Sequence, residues 1–223
     1  MTWRHEIKHE ISYTDMLILR QRLGVVMQRD PHSENGVYKV RSLYLDTPSD
    51  KALREKTDGV NDRDKYRIRY YNGDLSFVCL EKKTKRNGLC SKQSTSITAD
   101  ETERIINNDT AWMAFDRRPL VTELYFKMKT ECLAPKTIVD YTREPFTFAP
   151  GNVRVTLDYN IRTGLNCTDM LSAVALTVPA GEPANILEVK WDAFLPDIIR
   201  EAVQLDSRLS SAFSKYERCR IYG

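Results

Sequence analysis

The chain has 223 residues, of which 41% are apolar, and this suits one domain with a sizeable core spanning residues 1–223. Lysine and arginine number 34 against 31 aspartates and glutamates, so the net charge of +3 gives no sign of a nucleic-acid or membrane binder. The five cysteines include no C-x-x-C pair, so we expect reduced thiols. No stretch has the ~20 apolar residues of a membrane span, and the charged N-terminus differs from a signal peptide. We therefore expect a cytoplasmic protein.

Hydrophobic periodicity and turn residues predict many antiparallel strands with a few helices. Residues 3–11 are extended in character, and Ser12 with Asp15 forms a capping box that opens a helix ending near Gln28. Asn72-Gly73 and Asn87-Gly88 are hairpin turns. Strands are predicted at 37–46, 64–71, 75–85, 91–98, 136–143, 152–159, 170–178 and 185–191, and helices at 100–107, 119–132, from Pro196 and from Ser207 to Arg218. The successive hairpins favour an α+β protein with a closed or nearly closed antiparallel β-barrel over an open sheet.

Charged side chains occupy one face of several predicted strands. Because side chains alternate between the faces of a strand, Lys65, Arg67 and Arg69 share one face and the residues between them share the other. The same alternation groups the charges of the other strands: Arg4, Glu6, Lys8 and Glu10; Glu81, Lys83 and Lys85; Arg154, Thr156 and Asp158; Glu188 and Lys190. A half-buried sheet with its polar face in water gives a similar alternation. The repeated pairing of Arg or Lys with an occasional Glu favours instead a charged inner face, with helices covering the apolar outside.

An inward ring of arginine and lysine requires a polyanion, and inward glutamates suit a divalent cation, since hard cations prefer carboxylate oxygens. Together these residues predict a metal–triphosphate site. Arg67 and Arg69 place like charges on one face, so we expect strain there in the empty protein unless an anion or carboxylates lie opposite.

Other catalytic motifs are absent from the sequence. It contains no P-loop, no G-x-G-x-x-G, no H-E-x-x-H and no G-x-S-x-G, and we interpret His5, His9 and His32 as bystanders. Phosphoryl transfer needs no nucleophile motif, because positioning and charge stabilisation dominate its catalysis.

An ordered series of segments in the sequence carries a resemblance to a known family. They are RHEIK at 4–8, SLYLDTP at 42–48, REKTDGVNDRDKYRIRYY at 54–71, LEKKTK at 80–85, SKQ at 91–93, VDYTREPF at 139–146, NVRVTLDYNIR at 152–162, ILEVK at 186–190 and FSKY at 213–216. The chain resembles the polyphosphate polymerase (VTC, vacuolar transporter chaperone) domain, a branch of the triphosphate tunnel metalloenzymes. That superfamily begins with E-x-E-x-K, whereas this chain has Arg4 at the first acidic position, which is similar to the polymerase branch.

The resemblance implies an eight-stranded antiparallel tunnel with flanking helices, ATP as phosphoryl donor, and Mn²⁺ or Mg²⁺ as cofactor. It implies phosphate-binding or catalytic roles for Lys8, Arg67, Arg69, Lys83, Lys92, Arg143 and Arg154. Glu188 matches the metal ligand, and Glu6 and Glu81 are expected to assist it. Ser214 and Lys215 match residues that contact the phosphate chain near one tunnel mouth, and Lys56 matches another basic position. We add Lys85 and Lys190 as phosphate-binding candidates because they share the charged strand faces.

Three functions stay open. The first is a polyphosphate polymerase that adds the γ-phosphate of ATP to a growing chain, the second is a hydrolase of inorganic or nucleoside triphosphate on the same scaffold, and the third is a polyanion-binding module without catalysis. The many basic residues and few inward carboxylates favour the polymerase. The resemblance also allows a membrane-protein partner for export, which would place the protein at the inner face of a membrane; no nucleic-acid partner is expected.

Overall fold

A closed barrel of eight antiparallel strands forms the centre of the computed structural model, which describes residues 2–205 and 213–221. We number the strands β1 Trp3–Ile11, β2 Tyr38–Asp46, β3 Arg63–Tyr71, β4 Asp74–Arg86, β5 Leu89–Ile97, β6 Ala134–Phe148, β7 Val153–Thr163 and β8 Asn185–Trp191. Neighbouring strands pair in the order β1, β8, β7, β6, β2, β3, β4, β5, and β5 pairs with β1 to close the ring. The predicted α+β class with an eight-stranded barrel is confirmed.

Six helices flank the barrel within the described residues: α1 Tyr13–Val26, α2 Lys51–Thr57, α3 Ala99–Ile106, α4 Pro119–Thr130, α5 Asp197–Val203 and α6 Lys215–Arg220. The capping box predicted for α1 is confirmed, because the Ser12 hydroxyl accepts from the Asp15 amide and the Asp15 carboxylate accepts from the Ser12 amide. Two short strands pair with the barrel, Gln28–Arg29 with β6 and Val178–Pro179 with β7. Two 3₁₀ turns span Ala111–Phe115 and Pro150–Asn152.

The two Asn-Gly turns shape the hairpins of β3, β4 and β5, which carry Arg67, Arg69, Lys83 and Lys92. Asn72 and Gly73 have φ angles of 53° and 76°, and Asn87 and Gly88 have 48° and 78°. Turns with two positive φ angles match the twist of the strands they join, which explains the preference for Asn-Gly. The second hairpin continues from its turn in regular register and places Lys83 opposite Lys92.

Two regions differ from the sequence-based predictions. The strand predicted at 170–178 is wrong, because only Val178 belongs to a strand there. The segment is a loop held by side chains from the barrel: Tyr70 donates to the Met170 carbonyl and Arg41 donates to the Ser172 carbonyl. Helix α2 was not predicted. Its first turn is capped from a distance, since the Asp46 carboxylate accepts from the Ala52 and Leu53 amides.

The structure describes the last two predicted helices from later residues than the sequence predicted. Pro196 is the N-cap of α5, so that helix begins at Asp197. The helix predicted from Ser207 to Arg218 is present from Lys215 onward, and residues 207–212 lie outside the described residues.

Most of the apolar core lies outside the barrel wall. One cluster joins the outer faces of β2 to β5 with α3 and α4, and another joins the outer faces of β1, β6, β7 and β8 with α1 and α5. A third cluster is inside: Val40 and Val139, which share strand faces with cavity residues, pack with Tyr216 and Cys219 of α6. The interior therefore has an apolar end near α6 and a charged remainder. Among the described residues, no helix combines the length and apolarity that a membrane crossing requires.

Candidate functional site

A cavity of about 480 Å³ occupies the barrel interior, and positive charge dominates its walls. Fourteen lysine or arginine side chains line it, together with only two glutamates. The whole chain carries nearly equal numbers of basic and acidic residues, 34 and 31. Strand alternation explains the difference, because one face of each strand points inward and the sequence places its cations on that face.

Every basic or hydroxyl residue predicted from the sequence reaches this cavity: Lys8, Lys56, Arg67, Arg69, Lys83, Lys85, Lys92, Arg143, Arg154, Lys190, Ser214 and Lys215. Glu6 and Glu188 line it as well, and Glu81 is buried beside it between two of its arginines. The structure thus brings the predicted set together, while the role of each residue stays a prediction.

Glu81 is the carboxylate that lies between the two arginines of β3. Its Oε2 accepts from Arg67 Nε at 2.7 Å and lies 3.6 Å from Arg69 Nη1, and its Oε1 accepts from Lys92 at 3.0 Å. Arg69 also donates to Ser42 Oγ at 2.9 Å. A buried carboxylate therefore lies between Arg67 and Arg69 and offsets part of the repulsion expected between them in the empty protein.

The cluster around Glu81 stays fully ionised. Burial acts to raise the pKa of the Glu81 carboxyl, but Arg67, Arg69 and Lys92 outweigh it and hold that pKa far below its usual range. Burial likewise opposes the charge on Arg67, yet Glu81 raises the pKa of that guanidinium well above its ordinary value. Three cations thus share one anion, and the cluster keeps the net positive charge that an anionic ligand requires.

Glu6 and Glu188 form a second cluster on the adjacent strands β1 and β8. The Lys8 ammonium lies 3.2 Å from Glu6 Oε1 and 3.3 Å from Glu188 Oε2. Lys190 lies 2.5 Å from Glu188 Oε1, and Lys83 donates to both oxygens of Glu6 at 2.7 Å. Burial acts to raise the pKa of both carboxyls, but these lysines prevail and hold both pKa values well below the usual range.

This carboxylate pair is the part of the cavity whose chemistry suits a divalent cation. Thr156, which pairs with Glu188 across β7 and β8, has a buried hydroxyl without a hydrogen-bond partner. Glu188 Oε1 likewise has no hydrogen bond, and its contacts are ion pairs with Lys190 at 2.5 Å and Arg143 at 3.8 Å. Mg²⁺ is commonly held by one or two carboxylates together with substrate phosphates, so the donors here fit such a cation. Both oxygens of Glu81 accept hydrogen bonds, from Arg67 and from Lys92, and its expected role as a helper at the metal stays a prediction. Within residues 2–205 and 213–221, no group of three or more His, Cys, Asp or Glu side chains is placed to hold a metal by itself.

Asp158 of β7 anchors a third cluster deep in the barrel. Arg143 binds it with two parallel hydrogen bonds of 2.6 and 2.7 Å, and Lys215 donates to it at 2.5 Å. Burial acts to raise the pKa of Asp158, but Arg143 and Lys215 lower it to about 2. Although α6 flanks the barrel, the Lys215 side chain therefore enters the interior, and it shares a carboxylate with Arg143.

Tyr44 of β2 is an unexpected member of the cavity wall. Its hydroxyl accepts from Arg67 at 3.1 Å, and its ring stacks on Tyr216 with a centroid distance of 4.9 Å. Tyr216 in turn donates to the buried Asp46 carboxylate at 2.7 Å, which ties α6 to β2. Burial acts to raise the pKa of the Tyr44 phenol, but Arg67 and Arg69 lower it to about 8.

The remaining predicted residues have partners at the edge of the site. Arg154 lies 3.3 Å from Asp30, and Lys56 of α2 lies 3.1 Å from Glu217 of α6. Ser214 caps α6 by accepting from the Glu217 amide. Lys56 and Ser214 thus reach the site from α2 and from the start of α6, whereas Arg154 belongs to the barrel wall.

Several residues of the site received no role from the sequence, among them Tyr44, Lys65 and Asp158. The signal for Lys65 and Asp158 was present, since each shares a strand face with predicted residues. Tyr44 was harder to identify, because β2 carries aromatic or aliphatic residues on both faces and its alternation does not show which face is inner.

The family model of the VTC domain matches residues 3–221, and no curated protein matches the sequence. Among solved structures, the PH1012 protein from Pyrococcus horikoshii aligns with a TM-score of 0.52 and 12% identity, covering 96% of this chain and 98% of that one. A putative adenylate cyclase from Bacillus halodurans aligns with a TM-score of 0.50 and 13% identity, covering 85% of this chain and 82% of that one.

The two structural matches establish a shared fold, and the family match spans almost the whole chain. The matched range includes all eight barrel strands and α6, which carry the residues of the cavity. The chain therefore belongs to the VTC domain family.

Proposed function

We propose that the protein is a polyphosphate polymerase, which transfers the γ-phosphate of ATP to the end of a polyphosphate chain inside the barrel. The observation that carries this proposal is the lining of one cavity by fourteen basic side chains and only two glutamates, in a chain of nearly balanced charge. Such a lining requires a ligand with several negative charges close together, and triphosphate and polyphosphate have this character.

In the proposed reaction a terminal phosphate oxygen of the chain attacks the γ-phosphorus of ATP. A new P–O–P bridge forms, the bond from the γ-phosphorus to the β–γ bridging oxygen breaks, and ADP leaves with that electron pair. Charge passes from ATP to the longer chain, and no proton has to be taken up or released when both phosphates are ionised. The protein's contribution is positioning and charge stabilisation, which is typical of phosphoryl transfer.

The three charge clusters supply that positioning. Arg67 and Arg143 are each held by a buried carboxylate, so their guanidinium groups are oriented before any ligand binds. Fixed donors of this kind stabilise developing charge without reorganising during the reaction. Lys8, Lys83 and Lys190 surround the carboxylates of the second cluster in the same way.

A divalent cation fits the proposal at Glu6 and Glu188. These two carboxylates would hold Mn²⁺ or Mg²⁺ jointly with oxygens of the ATP phosphates. Bound there, the cation would neutralise charge on the triphosphate and on the departing ADP.

The state of the interior carboxylates supports transfer to phosphate over hydrolysis. Hydrolysis commonly uses a base that takes a proton from water. Glu6, Glu81, Asp158 and Glu188 are all ion-paired, and the pKa of each is depressed, which makes them weak proton acceptors. The one histidine at the cavity is His5, whose ring stacks on Trp191 at 5.2 Å. A chain-end phosphate is already ionised near neutral pH and needs no such base.

Product analysis tests the proposal directly. The full chain is incubated with ATP and Mn²⁺, and the products are separated by size and charge; we expect ADP and a polymer of phosphate in matching amounts. Arg143→Gln should remove most of this activity, whereas Lys39→Met, on the exposed outside of β2, should not change it. Orthophosphate released in step with ADP, without polymer, would identify a hydrolase. No turnover of ATP would leave a polyanion-binding module.

A further inference from the structure

Lys65 differs from the other basic residues that the barrel strands place deep in the cavity. Its ammonium has one polar neighbour within hydrogen-bonding distance among the described residues, Ser214 Oγ at 3.5 Å, and it lies 5.5 Å from the centre of the Tyr216 ring. By contrast, Lys8, Arg67, Lys83, Arg143 and Lys190 each contact a carboxylate. Lys85 also contacts no carboxylate among the described residues, but it lies close to the end of β4, near the rim of the cavity.

Further positive charge surrounds this unpaired ammonium. Lys83 lies opposite it in the β3–β4 register, and Lys56, Arg63 and Lys8 act on it from α2, β3 and β1. Tyr44 on β2 is the acidic group that faces it. Burying a cation without a partner is costly, and neighbouring cations increase that cost. The arrangement becomes favourable once an anion lies between these groups.

The titration of Lys65 agrees with this geometry. Burial lowers the pKa of its ammonium to about 8, Tyr44 partly opposes the change, and Arg63, Lys56 and Lys8 add to it. A phosphate bound beside the amine would favour the charged form and raise that pKa again. Binding near pH 8 should therefore be accompanied by proton uptake at this residue.

We propose that Lys65, together with Lys56 and Ser214, forms a second phosphate subsite that binds the end of the acceptor chain without a metal ion. The proposal rests on the proposed function and names its acceptor site. In the ring order β3 lies four strands from β8, so Lys65 and the carboxylate of Glu188 come from opposite walls. Among the described residues no carboxylate stands within ion-pair distance of Lys65, whereas the wall of Glu6 and Glu188 offers two carboxylates to a cation.

Calorimetric titration with tripolyphosphate in excess chelator tests the subsite without ATP or metal. Titrations near pH 8 in two buffers of different ionisation enthalpy give both the affinity and the number of protons taken up. For wild type we expect binding with net proton uptake. Lys65→Met should weaken binding by roughly 10- to 150-fold, the range for one charge-assisted hydrogen bond. Lys39→Met, the same change on the outside of β2, should bind like wild type.

Lys65→Arg tests the effect of the positive charge on binding separately from the proton uptake by the Lys65 amine. Arginine keeps the positive charge at all accessible pH values, so this variant should bind within a few-fold of wild type but lose the proton uptake that Lys65 contributes. Tyr44→Phe removes the other group that titrates near pH 8, and part of the uptake should persist in it. Since Lys65→Met removes an unpaired charge, its melting temperature should equal or exceed that of wild type.

Several results would overturn the subsite. They are wild-type affinity in Lys65→Met, equal weakening in Lys39→Met, or unchanged proton uptake in Lys65→Arg. In the polymerase assay, Lys65→Met should raise the KM for a short polyphosphate primer and leave the KM for ATP unchanged; an equal rise of both would contradict the acceptor assignment. If no variant makes polymer, the proposed function fails, while the metal-free titration still decides whether Lys65 binds phosphate.

Discussion

Replacing Glu81 by glutamine and, in a second variant, Arg67 by glutamine breaks the same buried ion pair from its two sides. The two atoms that make the contact, Glu81 Oε2 and Arg67 Nε, are 2.7 Å apart, and the two side chains are only 3% and 16% exposed. Arg67→Gln removes one charge-assisted hydrogen bond to Glu81, and Glu81→Gln removes the negative charge that Arg67, Arg69 and Lys92 share. They change the net charge of the cavity in opposite directions, and this allows the structural role of the pair to be separated from ligand binding.

We expect both variants to be less stable than wild type when empty. Removing one partner of a buried pair costs about 3–5 kcal/mol, and losing a charged hydrogen bond costs about 1.5–3 kcal/mol. Glutamine keeps part of the hydrogen bonding, and Lys92, which is half exposed, can turn toward water. An estimate of about 2–4 kcal/mol for each variant follows, a large share of the 5–15 kcal/mol that is typical of a domain.

Tripolyphosphate should then distinguish the variants. Glu81→Gln leaves three cations without their shared anion, so the ligand should raise its melting temperature more than that of wild type. Arg67→Gln loses a phosphate contact, and its affinity should fall by roughly 10- to 150-fold. Chemical denaturation with and without ligand measures both effects. Wild-type stability in empty Arg67→Gln, or an equal loss of tripolyphosphate affinity in the two variants, would refute this view of the cluster.

Three further outcomes are expected. The folded-state pKa of Tyr44, about 8, lies below the usual tyrosine value of 10, so the contribution of Tyr44 to stability should grow as pH rises from 8 to 10. Tyrosinate absorbance should show one group that titrates near pH 8. That group should be absent from Tyr44→Phe, and tripolyphosphate should shift its pKa upward. Asp158→Asn should destabilise the protein, and because the pKa of Asp158 is lowered to about 2, the difference from wild type should hold above about pH 5 and shrink between about pH 4 and 2 in denaturation experiments. Excess chelator should abolish turnover of ATP, and Glu188→Gln should raise the Mn²⁺ concentration needed for half-maximal rate; full activity in chelator would contradict the metal assignment.

Local sequence patterns were sufficient to predict the strands of the barrel and the inner face of those strands whose charged and apolar residues alternate. Alternation identifies the face of β3 that carries Lys65, Arg67 and Arg69, and the second Asn-Gly turn fixes the pairing of β4 with β5. Closure of the ring depends on pairings between strands distant in the sequence, β1 with β5 and β2 with β6, which no local signal specifies. Helix α2 escaped prediction for a similar reason, since its cap comes from Asp46, five residues before its start.

In the first hairpin, the register of β3 against β4 follows only in part from the strand pattern and the turn sequence. A regular hairpin about Asn72-Gly73 would place Arg67 opposite Val78, an apolar residue of the outer face. The register shifts between Arg69 and Tyr71, and Arg67 pairs with Glu81 instead. The shift keeps charged residues on the inner wall of both strands, so the binary pattern requires an irregularity that the turn alone does not predict. Its position, and hence the partner of Arg67, depends on the folded barrel.

The interior carboxylates explain how a cavity with so many cations can exist before a ligand arrives. Four carboxylates, Glu6, Glu81, Asp158 and Glu188, hold cations from several strands and from α6, and all four stay ionised. They orient the basic groups, but fourteen basic side chains line the cavity and far outnumber these four carboxylates. A single orthophosphate compensates few of these charges, whereas a chain that runs along the cavity compensates many at once. The gain in stability from binding should therefore increase with the number of linked phosphates, which is the property that a site for chain elongation needs.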